Sequence, residues 1–158
     1  MTRAGIGYDC HRFAEGRSLI IGGVSIPAQR GLDGHSDADV LTHALIDALL
    51  GAAGLGDIGE HFPDTEERWR DADSMALLAW VMGLLAERGL AVLNVDCTVM
   101  MEQPKLAPHR AAIRAALAQA LGLPGERVNI KATTGEGMGF IGRGEGVGAL
   151  AIATLSER

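Results

Sequence analysis

Aromatic side chains are scarce. Three Phe, two Trp and one Tyr make up 4% of the 158 residues, too few for a platform on which nucleic-acid bases stack. Positive charge is short as well. Lys and Arg number 14 against 20 Asp and Glu, a net charge of −6, so the basic footprint of a general nucleic-acid binder is missing. A polyanionic ligand is compatible with this balance only where local positive charge or a metal ion meets it. The two cysteines, Cys10 and Cys97, make no disulfide framework, which fits a cytoplasmic location. No uninterrupted apolar run approaches a membrane span, and the first residues lack the apolar stretch of a secretory signal. Internal repeats and low-complexity tracts are absent. What is there is 47% hydrophobic and 22% charged, the balance of a globular chain forming one domain over residues 1–158 with its own core.

Alternation from Arg3 to Phe13 predicts a strand. Ser18 to Ile21 and Val24 to Ile26 flank Gly22-Gly23, a two-residue hairpin signal. Residues 29–36 are mostly polar and read as a loop. A helix is expected from Asp39 to Leu50, with Val40, Leu41, Ala44, Leu45, Ala48 and Leu49 as its apolar stripe. Asp39, His43 and Asp47 recur on its other side, and Ser36 or Asp37 can cap its start. Residues 51–64 form a glycine-rich loop. A second helix starts near Asp73 or Ser74 and stops before Gly89; Val92 to Met101 is a strand. Pro108 opens a third helix that ends at Gly122, and strands follow over Val128 to Thr134 and Val147 to Leu155. This order implies an α+β fold, a mixed β-sheet with helices packed on one face.

Asp9 and His11 stand two apart on the first strand, so both point to one face. His43 lies on the polar side of the first helix. Two imidazoles and a carboxylate leave a tetrahedral ion one open position, the pattern of a catalytic zinc site. The same ligand types suit non-haem iron, so they do not fix the metal. Cys10, between Asp9 and His11, faces away and reads as a small core residue. Asp47 reads either as a partner of this site or as an exposed helix carboxylate. His35-Ser36-Asp37 precede a helix, where backbone N–H groups and the positive dipole end favour phosphate; ordinary capping is the plainer alternative. Gly137 to Gly142 matches G-x-G-x-x-G, but a strand follows where a dinucleotide fingerprint needs a helix. A P-loop fails there too, because Arg143 and Gly144 replace Lys and Ser/Thr. What remains is a flexible backbone among Lys131, Thr133, Thr134, Glu136 and Arg143, free to approach a ligand closely. His61 and His109 have no assignable partners.

Six segments in this order and spacing resemble the 2-C-methyl-D-erythritol 2,4-cyclodiphosphate synthase family. They are Gly7 to His11, Gly34 to Val40, Leu55 to Gly59, Phe62 to Thr65, Lys131 to Thr134 and Gly142 to Gly146. The resemblance covers Gly5 to Leu155. It implies a lyase of non-mevalonate isoprenoid biosynthesis that assembles as a homotrimer with active sites at subunit interfaces. It implies zinc or another divalent metal on Asp9, His11 and His43, and magnesium or manganese with the substrate diphosphate, held by Glu136. His35 and Thr134 stand at the family's transition-state-stabilising positions. Asp9, Cys10, His11, His35 and Ser36 are among its substrate-binding positions. The sugar-alcohol part falls to Asp57, Ile58, Gly59, Phe62, Pro63, Asp64, Thr65 and Glu66, with Asp47 and Gly59 near the ribose. Met101, Glu102, Gln103, Pro104, Lys105, Leu106 and Ala107 form the cytosine pocket with Ala132 and Thr133. Gly135, Phe140 and Arg143 are binding positions as well; Arg143 and Glu145 are alternatively placed at the trimer axis. Gly135 departs from the polar residue common there, so Gly135→Thr is expected to change affinity modestly.

Two other readings use the same residues. An iron-dependent oxygenase fits two His and one carboxylate but gives the phosphate-suited loop no purpose. A non-catalytic nucleotide-binding or trimeric module would hold a closed, structural metal.

Overall fold

The N-terminal alternation becomes strand β1 (Thr2–Ala14), with every second residue of its first half exposed. The structure is a computed structural model and describes residues 1–157. Strands β2 (Leu19–Ile21) and β3 (Val24–Ile26) pair as an antiparallel hairpin. Gly22 and Gly23 turn it with φ of 59° and 76°, values that cost glycine little. Within the stretch expected as a loop lies a short strand, β4 (Gly31–Leu32), paired with the end of β1. Leu32 is buried, so the peptide groups beside it need partners, and the β1 edge supplies them.

Helix α1 (Val40–Ala53) continues past Leu50 to a left-handed Gly54. Its cap is Asp39, whose carboxylate accepts from Thr42 N–H; neither Ser36 nor Asp37 serves. Asp39 is fully buried, so the every-fourth-residue spacing did not mark a solvent face. Ile46 and Leu50 are buried beside the expected stripe, and α1 is a central helix enclosed on nearly all sides. Residues 51–64 also hold more order than a loop: α2 (Ile58–His61), capped by Asp57. Helix α3 (Ser74–Glu87) is capped by Asp73. Strand β5 (Leu90–Met100) follows, then a 3-10 turn over Ala107–His109 and α4 (Arg110–Leu121), closed by left-handed Gly122. Strand β6 (Val128–Thr133), a single turn α5 (Gly139–Gly142) and strand β7 (Gly146–Glu157) complete the chain.

The main sheet runs β4-β1-β7-β5-β6. All neighbours are antiparallel except β5 and β6, which α4 links as a parallel crossover. Helices cover one face, as expected for a mixed α+β sheet. Contact there is unusually close. A Cβ on Gly5 would lie 2.2 Å from the Ala48 carbonyl oxygen, and one on Gly7 1.8 Å from that of Ala44. Two glycines on β1 facing alanines on α1 let the helix backbone lie directly on the strand. That approach brings His43 to Asp9 and His11. The other sheet face stays open: Ile6, paired with Ile152, and Tyr8, paired with Leu150, expose apolar surface. Cys10 lies there too and is exposed, which corrects its reading as a core residue. The free thiol in the core is Cys97, where burial pushes its pKa up to about 12.

A candidate metal centre beside an open cleft

Three side chains from two elements converge on one point. Asp9 Oδ2 lies 2.8 Å from His11 Nε2 and 3.1 Å from His43 Nδ1, and the two ring nitrogens are 3.2 Å apart. Their other contacts decide which lone pairs face inward. His11 Nδ1 is 2.7 Å from the Asp33 carbonyl oxygen, which can only accept, so Nδ1 carries the proton and Nε2 the free electron pair. His43 Nε2 is 2.7 Å from Ser74 Oγ. That hydroxyl donates to Asp37 Oδ1, so it accepts from His43 Nε2–H and leaves Nδ1 unprotonated. Two imidazole pairs and a carboxylate oxygen then face one another with no donor among them, an arrangement that requires a cation.

A divalent metal fits. The three edges of 2.8 to 3.2 Å come close to the roughly 3.3 Å between ligand atoms of a tetrahedral ion with bonds of about 2.0 Å. Among the described residues, Asp9, His11 and His43 are the group of this kind. In the metal-free chain protons must do the same work. Burial disfavours the Asp9 carboxylate, but hydrogen bonds and charge from His11 and His43 outweigh it and bring the carboxyl down to about 2. Burial likewise opposes charge on His11, yet the Asp9 hydrogen bond and charge raise its pKa overall.

Beside the triad opens a cleft of about 490 Å³. His35 and Ser36 form one wall, and Ile58, Gly59, Phe62, Pro63, Asp64 and Thr65 another, joined by Trp69 and Leu77. The sequence assigned all of these but the last two to a site. Phe62 stacks edge-on against Trp69 and Trp80, at 5.0 and 5.2 Å between centroids, which stiffens that wall. Asp47 is half-buried and is not one of the metal ligands: it accepts from Ile58 N–H at 2.7 Å and ties α2 to α1. Burial raises its pKa while the amide bond counteracts. Asp57 and Glu66 stand outside the cleft lining, the first as the α2 cap and the second paired with Arg68. His61 does have a partner, the Leu55 carbonyl at 2.8 Å.

The remaining candidates gather elsewhere. Met101, Lys105, Leu106, Ala107, Ala132, Thr133 and Thr134 line a second cleft of about 230 Å³ together with Val99 and Arg110. It shares no residue with the first. Gln103 and Pro104 face a separate hollow with Phe13 and Arg30, while Glu102 accepts from Gly135 N–H and joins the two loops. Phe140 lines a hollow with Cys10, and Arg143 pairs with Glu145 at 2.8 Å. Glu136 is exposed, in a left-handed conformation at φ 54°. Gly135 is no vacant side-chain position. A Cβ there would lie 2.7 Å from Gly142 N and 2.8 Å from the Met138 oxygen, so Gly135→Thr strains the turn rather than merely adding a contact.

Sequence reasoning missed Ser74, Asp33 and Arg17. Arg17 donates to the carbonyls of Gly34 and Ser36 at 3.1 and 2.6 Å, strapping the loop that carries His35. Its only signal was a charge close to a hairpin, which reads as solvated surface.

A family model described as the YgbB family matches residues 2–156. A 2-C-methyl-D-erythritol 2,4-cyclodiphosphate synthase of Salinibacter ruber is 58% identical over 155 residues, 98% of this chain and 99% of the relative. The bifunctional IspDF of Campylobacter jejuni superposes with a TM-score of 0.96 at 45% identity, covering 100% of this chain and 43% of that one. A 2C-methyl-D-erythritol-2,4-cyclodiphosphate synthase solved in a CDP-bound form superposes with a TM-score of 0.90 at 42% identity, covering 98% and 100%.

Proposed function

Because the chain belongs to the YgbB family and aligns over nearly its whole length with 2-C-methyl-D-erythritol 2,4-cyclodiphosphate synthases, we infer that it catalyses that reaction. It converts 4-diphosphocytidyl-2-C-methyl-D-erythritol 2-phosphate to 2-C-methyl-D-erythritol 2,4-cyclodiphosphate and CMP, a lyase step of non-mevalonate isoprenoid biosynthesis. The observation that carries the reading is the three converging electron pairs of Asp9, His11 and His43 at the edge of the cleft.

An oxygen of the 2-phosphate attacks the β-phosphorus, the bond from that phosphorus to the bridging oxygen breaks, and CMP leaves. Nucleophile and electrophile are both anionic, so their repulsion has to be offset. Zinc or another divalent ion on the triad, with magnesium or manganese held through Glu136, supplies Lewis acidity and charge neutralisation to the phosphates. His35 and Thr134 donate to the reacting phosphoryl oxygens, where fixed donors act by preorganisation. Asp9, His11 and Ser36 complete the phosphate end, and Cys10, a binding position between the two ligands on β1, turns its side chain to the opposite face. The wall from Ile58 to Thr65 holds the sugar alcohol, with Asp57 and Glu66 flanking it and Asp47 near the ribose. Met101 to Ala107, Ala132 and Thr133 hold the cytosine, and Gly135, Phe140 and Arg143 extend the binding surface. The reaction is intramolecular, so holding the substrate folded supplies much of the rate.

Active sites shared between subunits of a homotrimer account for two features of the chain. Its two clefts share no residue, and a neighbour that contributes the second would bring both to one substrate. The open face of β1 and β7 carries Ile6, Tyr8, Leu150 and Ile152 at 38 to 69% exposure, apolar surface suited to burial in an assembly. The cytoplasm is the compartment proposed, in keeping with two free thiols.

Phosphorus NMR of the purified protein with the cytidyl substrate and magnesium tests the reaction. Cyclic diphosphate and CMP are expected, lost on chelation and restored by zinc. A folded, zinc-loaded protein that gives neither product would refute it.

A further inference from the structure

Ser74 is the first residue of α3, and its side chain is fully buried. No capping or packing need explains a buried hydroxyl there, since Asp73 already caps the helix. The hydroxyl sits between His43 Nε2, at 2.7 Å, and Asp37 Oδ1. Asp37 is itself fixed by Ser74 N–H at 2.9 Å and Asp39 N–H at 3.1 Å. Its carboxylate accepts three donors and offers Ser74 only an acceptor.

We propose that Ser74 and Asp37 are positioning residues that prepare His43 as a metal ligand. Asp37 accepts the hydrogen bond of the Ser74 hydroxyl, Ser74 Oγ therefore accepts from His43 Nε2–H, and the Nδ1 electron pair is left for the ion. Ser36 Oγ, 3.1 Å from the same Nε2, accepts from Ala38 N–H and is the weaker partner. The relay does through a serine what a carboxylate–histidine–metal chain does directly: it fixes tautomer and ring orientation. It also links the metal to the segment 71–74, which is bonded to the His35 loop through Asp71 N–H to the His35 oxygen at 2.8 Å and Asp37 N–H to the Ala72 oxygen at 3.1 Å.

The proposal rests on the reading of Asp9, His11 and His43 as a metal site, and its test needs no turnover. Zinc alone is titrated against a competing chelator for wild type, Ser74→Ala and Asp37→Asn. Nitrogen-15 NMR of labelled histidine reads the His43 tautomer in the metal-free proteins at a pH where the ring is neutral. Ser74→Ala is expected to weaken zinc binding by about 10- to 100-fold and to shift His43 towards the Nδ1–H form. Asp37→Asn keeps an oxygen acceptor but not its charge, and is expected to act in the same direction by less. A zinc affinity unchanged within about twofold in Ser74→Ala, or a loss with the tautomer unmoved, overturns the relay. An Nδ1–H tautomer in wild type overturns it as well, even if Ser74→Ala fails to fold. Wild type that binds no zinc removes the metal reading and the relay together. Wild type that binds zinc yet forms no cyclic diphosphate removes the activity and leaves the relay standing.

Discussion

Asp39 gathers four donors on one buried carboxylate: Gly22 N–H at 2.8 Å, Gly23 N–H at 2.7 Å, Thr42 N–H at 3.0 Å and the Thr42 hydroxyl at 2.8 Å. It joins the hairpin turn to the start of the helix that carries His43. Burial pushes its pKa up and the four bonds pull it back. Asp39→Ala leaves buried donors unpaired and is expected to cost about 3 kcal/mol or more, read from urea unfolding of the metal-free protein. A loss below about 1 kcal/mol, the range of an ordinary exposed cap, would mean water replaces the carboxylate. At the triad, metal and proton compete for the same electron pairs. The folded His11 pKa lies above its usual 6.5, so protonation begins to displace the ion at a higher pH than an unperturbed histidine would set. Asp9, near about 2, stays ionised there and does not compete. Zinc affinity is therefore expected to fall as pH drops through the raised His11 value. A flat affinity from about pH 8 to about pH 5.5, the span in which imidazoles titrate, contradicts this account of the triad.

Elements were more legible than the contacts between them. The strand carrying Asp9 and His11 and the helix carrying His43 could be read from alternation and from the apolar stripe, because both periods are local. β4 and α2 were not, since each exists through a distant partner: Phe13 pairs with Leu32, and Asp47 holds Ile58 N–H. The same limit hid Ser74, whose role depends on a histidine 31 positions away. Gly7 belongs to both kinds. It reads as part of a motif, but its reason is the Ala44 carbonyl, 1.8 Å from where a Cβ would stand. Gly7→Ala has to push α1 off β1 and carry His43 from Asp9 and His11. Overpacking of this sort costs about 1–3 kcal/mol, occasionally more. Zinc affinity is expected to fall further than stability does, because ligand geometry tolerates less movement than a core. Chelator competition and thermal unfolding of the same variant separate the two; a destabilised protein with wild-type zinc affinity would show that the strain is absorbed without parting His43 on α1 from Asp9 and His11 on β1.

At the scale of the whole molecule, the division of site residues between two clefts of one chain gives the proposed assembly a quantitative test. His43→Ala removes a metal ligand beside the first cleft, and Thr134→Ala alters the second. Each variant alone is expected to be inactive or nearly so. Suppose each site takes the first cleft from one subunit and the second from its neighbour in a closed ring of three. Unfolding the two variants together and refolding them in equal amounts then gives mixed trimers in which one interface joins an intact first cleft to an intact second. Random assembly makes about three-quarters of trimers mixed, each with one working site of three, so about a quarter of wild-type turnover should return. If both clefts of a site came from the same chain, every site would carry one lesion and no mixture would recover activity. Light scattering of the refolded sample gives the stoichiometry independently. A trimer without recovery places the whole site in one subunit, and recovery in a species other than a trimer changes the expected fraction in a calculable way.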